Sequence, residues 1–240
     1  CTSILAAHVR NDIAGGATFN AVRTSLISYW TKLSGTGAAV YQTTSTPTTT
    51  SIDAWMTLVN QTVDATETVR VQVNDWIRDG GPMLSGTYAA TGSSASGTIR
   101  ARDIGHPLTG YFDVADAVES SRNSGLWKVD PNLRTVSDGV MTASSNQFNS
   151  ATAVFTSADI GRRIRVTGAG ASGALLSTAI STFANSTQIN LSANASTTVS
   201  AAAASIFWAS TVDGVHPAAY GAINAATAID VVKLSKSNIR

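Results

Sequence analysis

The fold is decided first by residues 3–42, which read SILAAHVRNDIAGGATFNAVRTSLISYWTKLSGTGAAVYQ. Residues 3–9 are mostly apolar and predict a buried strand, although so short a run is also compatible with a helix. In residues 19–33 the apolar positions recur at helical spacing, and glycines then stop the pattern. Residues 38–42 are again short and apolar, and they predict a second strand.

A longer helix is predicted over residues 51–77. Ser51 stands where a helix N-cap would, and Gly80-Gly81 follows the end of the pattern. One apolar face runs between them, formed by Ile52, Trp55, Met56, Val59, Val63, Val69, Val73, Trp76 and Ile77. Two short strands that alternate with two helices indicate an α/β arrangement with a parallel sheet.

Residues 133–210 differ in composition from the rest of the chain. They are rich in Ser, Thr, Ala and Asn, with alternating patches such as residues 163–167 and 187–191. Short β-type runs separated by turn residues predict a small all-β module. No charged residue occurs between Arg165 and Asp213, so the surface of this stretch is expected to present hydroxyl and amide groups.

The helical pattern returns after Pro217. The apolar residues near helical spacing are Ile223, Ala226, Ile229, Val232 and Leu234. The α/β pattern of the first part of the chain therefore resumes after the β-rich stretch, which indicates that this stretch is inserted into an α/β domain. We predict an α/β domain made of residues 1–132 and 211–240, with the β-rich module of residues 133–210 inserted into it.

Charge and cysteine content exclude several classes of protein. The 240-residue chain carries 16 Lys and Arg against 15 Asp and Glu, a net charge of +1, so it has no basic excess for binding nucleic acid. No apolar run approaches the ~18–20 residues of a membrane span, so we predict no membrane insertion. The single Cys rules out an intrachain disulfide framework and a multi-cysteine zinc site.

The segment Asp213-Gly214-Val215-His216-Pro217 is the first candidate site. An Asp and a His three residues apart on a tight turn allow the carboxylate to bind the imidazole Nδ1–H, which leaves Nε2 free to act as a general base. Pro217 suits the first position of the following helix and would keep the turn rigid. The alternative is that Asp213 only caps that helix, with an exposed His216 beside it.

Asn11 and Asp12, which come soon after the first predicted strand, are the second candidate. An Asn amide at the carboxyl end of a strand can donate to a developing oxyanion, and ligands of α/β sheets bind at that edge. The alternative is that both residues only turn the chain. His8, by contrast, is interpreted as a structural residue, and His106 as a loop residue.

The turn Val9-Arg10-Asn11-Asp12 after a strand, combined with Asp213-Gly-Val-His216-Pro before the last helix, resembles the SGNH (GDSL-type) hydrolase family. Members are three-layer α/β esterases, deacetylases and lipases. The resemblance implies that Asn11 lines an oxyanion hole and that Asp213 and His216 belong to a Ser-His-Asp triad. The implied chemistry needs no metal or organic cofactor.

The nucleophile block of this family is not found in the chain. The resemblance covers residues 1–132 and 210–234, which contain no Gly-Asp-Ser motif, and Val9 stands where the third block of the family has Gly. In the family the nucleophilic Ser lies upstream of the residue matched by Asn11, so we expect it from a segment that precedes this chain. The alternative is a family scaffold that has lost its chemistry.

Part of the β-rich module resembles a module of phage tail spikes and tail-fibre proteins. The matching stretches are residues 155–164, 168–171 and 187–191. This resemblance implies a virion tail or an extracellular location. It makes a host cell-surface polysaccharide and other virion tail proteins the expected partners, and it is compatible with a homotrimer.

Together the two resemblances predict a phage tail-associated esterase that removes O-acetyl groups from a host surface polysaccharide. His216 would be the general base, Asp213 would orient it and Asn11 would stabilise the oxyanion. The alternative is a structural or receptor-binding tail protein that keeps the scaffold without catalysis.

Overall fold

The computed structural model describes residues 3–231 and residue 234. The start of the chain at Cys1 and the predicted apolar helix position Val232 lie outside the described residues. The helices are α1 (Val9–Ala14), α2 (Phe19–Ser34), α3 (Glu67–Arg78), α4 (Val114–Val118) and α5 (Ala219–Thr227). Within the described part of the chain, no helix is both long and apolar enough to cross a membrane.

The strands form one parallel sheet, one closed barrel and two short hairpins. Those of the sheet and hairpins are β1 (Ser3–Ala6), β2 (Ala39–Thr43), β3 (Thr49–Ser51), β4 (Gln61–Val63), β5 (Met83–Leu84), β6 (Thr87–Tyr88) and β7 (Gly110–Phe112). Those of the barrel are β8 (Arg134–Met141), β9 (Gln147–Asn149), β10 (Arg163–Val166), β11 (Leu176–Asn185), β12 (Gln188–Leu191) and β13 (Val199–Phe207).

The parallel sheet has the strand order β1-β2-β7. Val40 of β2 packs with residues of helices α2 and α3 on one face. Tyr41 and Phe112 pack with Ala225 of α5 on the other face. Successive side chains of a strand point to opposite faces, so a strand covered on both sides is buried along its length, as β2 is from Val40 to Thr43. The predicted parallel sheet is therefore confirmed, and helices contact both of its faces.

Helix α2 forms where its apolar spacing predicts it. The side chain of Thr18 caps it by accepting a hydrogen bond from the Ala21 amide at 3.3 Å. Trp30 of this helix stacks on Trp76 of α3 with ring centroids 5.4 Å apart, and both indoles are fully buried. Large aromatic side chains bury the most apolar area per residue, so this pair forms the centre of the core on this face of the sheet.

The helix predicted over residues 51–77 is wrong in its first half, where the chain forms the β3–β4 hairpin instead. The loop of residues 52–60 wraps around the carboxylate of Asp53, which accepts hydrogen bonds from backbone amides and side chains of the loop. Such local bonds compete with those of a helix. The apolar pattern misleads here, because Ile52 and Val59 are 85% and 87% exposed.

Residues 134–207 form a closed antiparallel barrel with the strand order β10-β11-β12-β9-β8-β13. In β10 the buried residues Ile164 and Val166 alternate with half-buried neighbours. Phe148 and Phe155 pack edge to face in the interior. Closure pairs the strand edges that an open sheet would expose. The all-β character predicted for this stretch is confirmed.

In the described part of the chain, hydrogen bonds of Arg165 and of Asp130 join the barrel to the residues that precede it. Arg165 Nη1 donates to the backbone carbonyl of Asp53 at 2.7 Å. Asp130, which precedes the barrel, accepts from Arg162 Nη1 at 3.1 Å and from the Trp208 amide at 2.8 Å. Because Trp208 directly follows β13, the Asp130 carboxylate helps to fix the direction in which the chain leaves the barrel.

Candidate functional site

The candidate site is the turn of residues 211–217, between the barrel and helix α5. Asp213 Oδ1 accepts hydrogen bonds from the backbone amides of Val215 and His216, each at 2.8 Å. The other oxygen, Oδ2, lies 2.8 Å from His216 Nδ1. Asp213 does not cap α5, whose N-cap residue is Ala218 and has no side-chain cap. The carboxylate instead holds the backbone and the ring of His216 together.

These hydrogen bonds stabilise the ionised form of Asp213. The His216 amide, followed by the His216 ring, holds the pKa of Asp213 well below its ordinary value. An ionised carboxylate can only accept hydrogen bonds, so in a neutral imidazole at this position Nδ1 would carry the proton and Nε2 would present a lone pair. The side chain of His216 is 76% exposed, which leaves Nε2 accessible to a substrate.

Gly214 anchors this turn to the β3–β4 hairpin. Its carbonyl oxygen accepts hydrogen bonds from the Thr49 amide at 3.0 Å and from Trp127 Nε1 at 3.1 Å. Its φ is +77°, and a Cβ at this position would lie 1.7 Å from the Thr49 carbonyl oxygen and 2.8 Å from the Trp55 ring. Both the backbone conformation and the close approach therefore require glycine here.

We expect Gly214→Ala to displace the turn and to disturb the Asp213–His216 contact. A matched control is Gly173→Ala, because Gly173 has nearly the same φ, +78°, but nothing within 4 Å of its Cβ position. The control should lose about 1–2 kcal/mol of unfolding free energy, the cost of the left-handed conformation. Gly214→Ala should lose about 1–3 kcal/mol more because of the steric clash. Equal losses in urea unfolding would show that the turn adapts without strain.

Asn11 does not lie on the turn that the sequence pattern predicts. Residues Val9–Ala14 form helix α1, and the Asn11 carbonyl accepts a hydrogen bond from the Gly15 amide at 2.9 Å. Val9 and Ile13 are four residues apart, so they share one side of the helix and are both buried. Burial of this pair outweighs the turn preference of Asn and Asp.

The structure brings Asp213 and His216 into contact and places Asn11 at another surface depression. The side chain of Asn11 is exposed. It lines a depression together with residues of the α1–α2 connection, and no residue of the 211–217 turn contributes to that lining. The role of Asn11 as an oxyanion donor therefore stays a prediction.

Arg10 is the residue that the sequence interpretation missed. It lines a pocket at the carboxyl ends of β1 and β2, and its Nη1 donates to the Pro47 carbonyl at 3.2 Å. Two residues later, Thr49 contacts Gly214 through its amide. The segment of residues 47–49 thus connects Arg10 with the 211–217 turn. A helical interpretation of Val9–Ala14 would have separated Arg10 from Asn11, because consecutive helical residues point about 100° apart.

The charge of Arg10 lies within electrostatic reach of the candidate site. Burial lowers the pKa of Arg10, whereas the carboxylates of Asp213 and Asp64 act in the opposite direction. A half-buried guanidinium beside this turn would favour an anionic ligand.

The remaining histidines and acidic residues form no metal site in the described part of the chain. His106 Nε2 lies 2.8 Å from the Gly81 carbonyl oxygen, and its Nδ1 accepts a hydrogen bond from the Leu108 amide at 3.0 Å. His106 lies in a loop, as the sequence predicts, and both of its ring nitrogens have partners. Within residues 3–231, no three His, Cys, Asp or Glu side chains converge to hold a metal ion.

Comparisons with known proteins do not assign a family. No family model and no curated protein matches the chain. Among solved structures, Phage phi92 endosialidase matches 33% of this chain at 14% sequence identity and a TM-score of 0.23. The match spans only 13% of the length of the endosialidase chain. Since so low a TM-score does not establish a shared fold, the SGNH and tail-spike resemblances stay sequence-based expectations.

Proposed function

We propose that this protein is an ester hydrolase of the SGNH type, in which Asp213 and His216 are two members of a Ser-His-Asp triad. The observation that carries the proposal is the 2.8 Å contact between Asp213 Oδ2 and His216 Nδ1. The other carboxylate oxygen is held by two backbone amides. The imidazole is therefore oriented before a substrate binds, as general-base catalysis requires.

In the proposed reaction a serine hydroxyl attacks the acyl carbonyl of an ester while His216 Nε2 takes its proton. The imidazolium then returns the proton to the leaving sugar oxygen, and water attacks the acyl-enzyme by the same route to release the carboxylic acid. Asp213 stabilises the imidazolium, and Asn11 is proposed to stabilise the oxyanion. The serine is proposed to come from the upstream segment that the family resemblance implies.

The proposed setting is a phage tail, with O-acetylated host polysaccharide as substrate and other tail proteins as partners. We propose a three-layer α/β domain of residues 1–132 and 211–240 that carries the site, and a β-rich module of residues 133–210 inserted into it. Helices on both faces of the parallel sheet support the first unit. The stretch without charged residues between Arg165 and Asp213 offers hydroxyl and amide groups to a polysaccharide.

A second candidate is a structural or receptor-binding tail protein without catalysis. The observation that favours it is the position of Asn11, which lies within helix α1 and lines a depression that the 211–217 turn does not share. In this case the Asp213–His216 contact only stabilises its own turn. Loss of the contact would then change stability and leave ligand binding intact.

The proposal is tested by labelling the full native protein with a fluorophosphonate serine probe and measuring intact mass. We expect one adduct per chain, and peptide mapping should place it on the nucleophilic serine. His216→Ala should label far more slowly, because the serine then has no base to accept its proton. The matched control, Val212→Ala, changes a 56% exposed residue of the same turn and should label normally.

Either of two outcomes would favour the second candidate. One is a native protein that takes up no probe. The other is labelling that His216→Ala leaves unchanged, since the labelled serine would then act without the proposed base.

A further inference from the structure

A pocket of about 250 Å³ lies at the carboxyl ends of β1 and β2, outside the Asp213–His216 turn. Its walls include Leu5 and Val9 from one side and Val114 from another. Ala225 of helix α5 and Ile229, which follows that helix, also line it. The lining is mainly apolar, so the pocket suits a hydrocarbon group of a ligand.

Arg10 is the charged residue of this pocket. Its guanidinium donates one hydrogen bond, to the Pro47 carbonyl, and among the described residues no carboxylate lies within 4 Å of it. The other arginines at this end of the sheet are different, because Arg70 and Arg78 each pair with carboxylates. Arg10 therefore has donors available for an anion from outside the chain.

We propose that this pocket binds an aliphatic carboxylate, with the hydrocarbon chain between the sheet and α5 and the carboxylate on Arg10. The combination of an apolar cavity and one guanidinium that has no described carboxylate within 4 Å matches a ligand with one apolar end and one anionic end. A cavity of about 150 Å³ holds benzene, so this larger pocket has room for a chain of about six to eight carbons.

The link to catalysis rests on the proposed function, in which a carboxylic acid is the product of ester hydrolysis. The segment of residues 47–49 connects Arg10 with Gly214, next to Asp213. The pocket would then accept the carboxylate that hydrolysis releases, and acetate, the product of the proposed de-O-acetylation, would fill only part of it. The binding itself is measured without turnover and does not depend on that link.

The proposal is tested by titrating acetate, butyrate, hexanoate and octanoate into the full protein in a calorimeter. Each added methylene should tighten Kd about fourfold until the pocket is filled, since burial of one methylene contributes about 0.8 kcal/mol. Octylamine has the same chain with a positive charge and should not bind measurably. Binding that does not depend on chain length, or equal binding of octylamine, would overturn the proposal.

Variants on the two sides of the pocket separate the contribution of charge to octanoate binding from the contribution of cavity shape. Arg10→Met keeps an unbranched side chain at this position and removes the charge, so octanoate should bind at least about tenfold more weakly. Arg102→Met is the control, because Arg102 is exposed and does not line this pocket. An Arg10→Met protein that binds octanoate as tightly as the native protein would contradict the assigned role of Arg10.

Ala225→Leu fills the pocket from α5 and should also weaken octanoate binding at least about tenfold, while both residues favour the helix. Ala226→Leu is its control, since Ala226 is exposed on the same helix and does not line the pocket. The variants Ala225→Leu and Ala226→Leu test the proposal even if Arg10→Met does not fold. Octanoate binding without serine labelling would support this inference and contradict the proposed function. Serine labelling without octanoate binding would support the proposed function and contradict this inference.

Discussion

Replacing His216 by alanine is expected to lower kcat/KM for ester hydrolysis by about 10³–10⁴-fold. The imidazole is the group that takes the proton of the nucleophile, and alanine cannot replace it. The side chain is 76% exposed and contacts Asp213, so its removal leaves no cavity in the core. The loss should therefore appear in turnover of an acetyl ester, whereas the free energy of unfolding changes little.

Asp213→Asn should lower kcat/KM for ester hydrolysis by a similar factor, because it changes the tautomer of His216. The amide oxygen would still accept from the backbone, and the amide nitrogen would face His216 Nδ1 as a donor. Nδ1 would then become the acceptor and Nε2 would carry the proton, so the ring could not act as a base. Val212→Ala, on the same turn, should keep native turnover. Unchanged turnover in His216→Ala would show that the Asp213–His216 pair is not catalytic.

The largest loss of stability is expected for Arg70→Met, at about 3–5 kcal/mol. Arg70 is 3% exposed and pairs with Glu67 and with Glu119, whose side chain is 0% exposed. Burial raises the pKa of Glu119, and Arg70 acts against this shift. Without Arg70, a carboxyl group would remain buried without its partner, and the Ser45 carbonyl would lose its bond from Arg70 Nη1.

Urea unfolding followed by tryptophan fluorescence measures this loss. The double variant Arg70→Met with Glu119→Leu should recover at least half of it, because an apolar pair avoids the buried charge. Arg122→Met is the control for an exposed pair, since Arg122 is 59% exposed and pairs with Asp116. It should cost less than about 1 kcal/mol. Equal losses for Arg70→Met and Arg122→Met would contradict the argument from burial.

Local sequence was sufficient where the spacing of apolar residues along an element matches the side that becomes buried, or where two groups that bond are close in sequence. Helix α2 follows from its apolar spacing and its Thr18 cap. Strand β10 follows from the alternation of buried and half-buried residues. The contact between Asp213 and His216 spans only three residues, so the spacing already predicted it.

The tertiary structure alone decided the features that depend on distant partners. The hairpin that replaces the first half of the predicted helix of residues 51–77 is anchored through Thr49 to Gly214. The direction of Arg10 depends on burial of Val9 and Ile13 in the core. Apolar spacing indicates which residues prefer burial, but it does not indicate which residues from distant parts of the chain will contact them. Where a few kcal/mol separate a turn from a helix or a helix from a hairpin, those distant contacts determine the outcome.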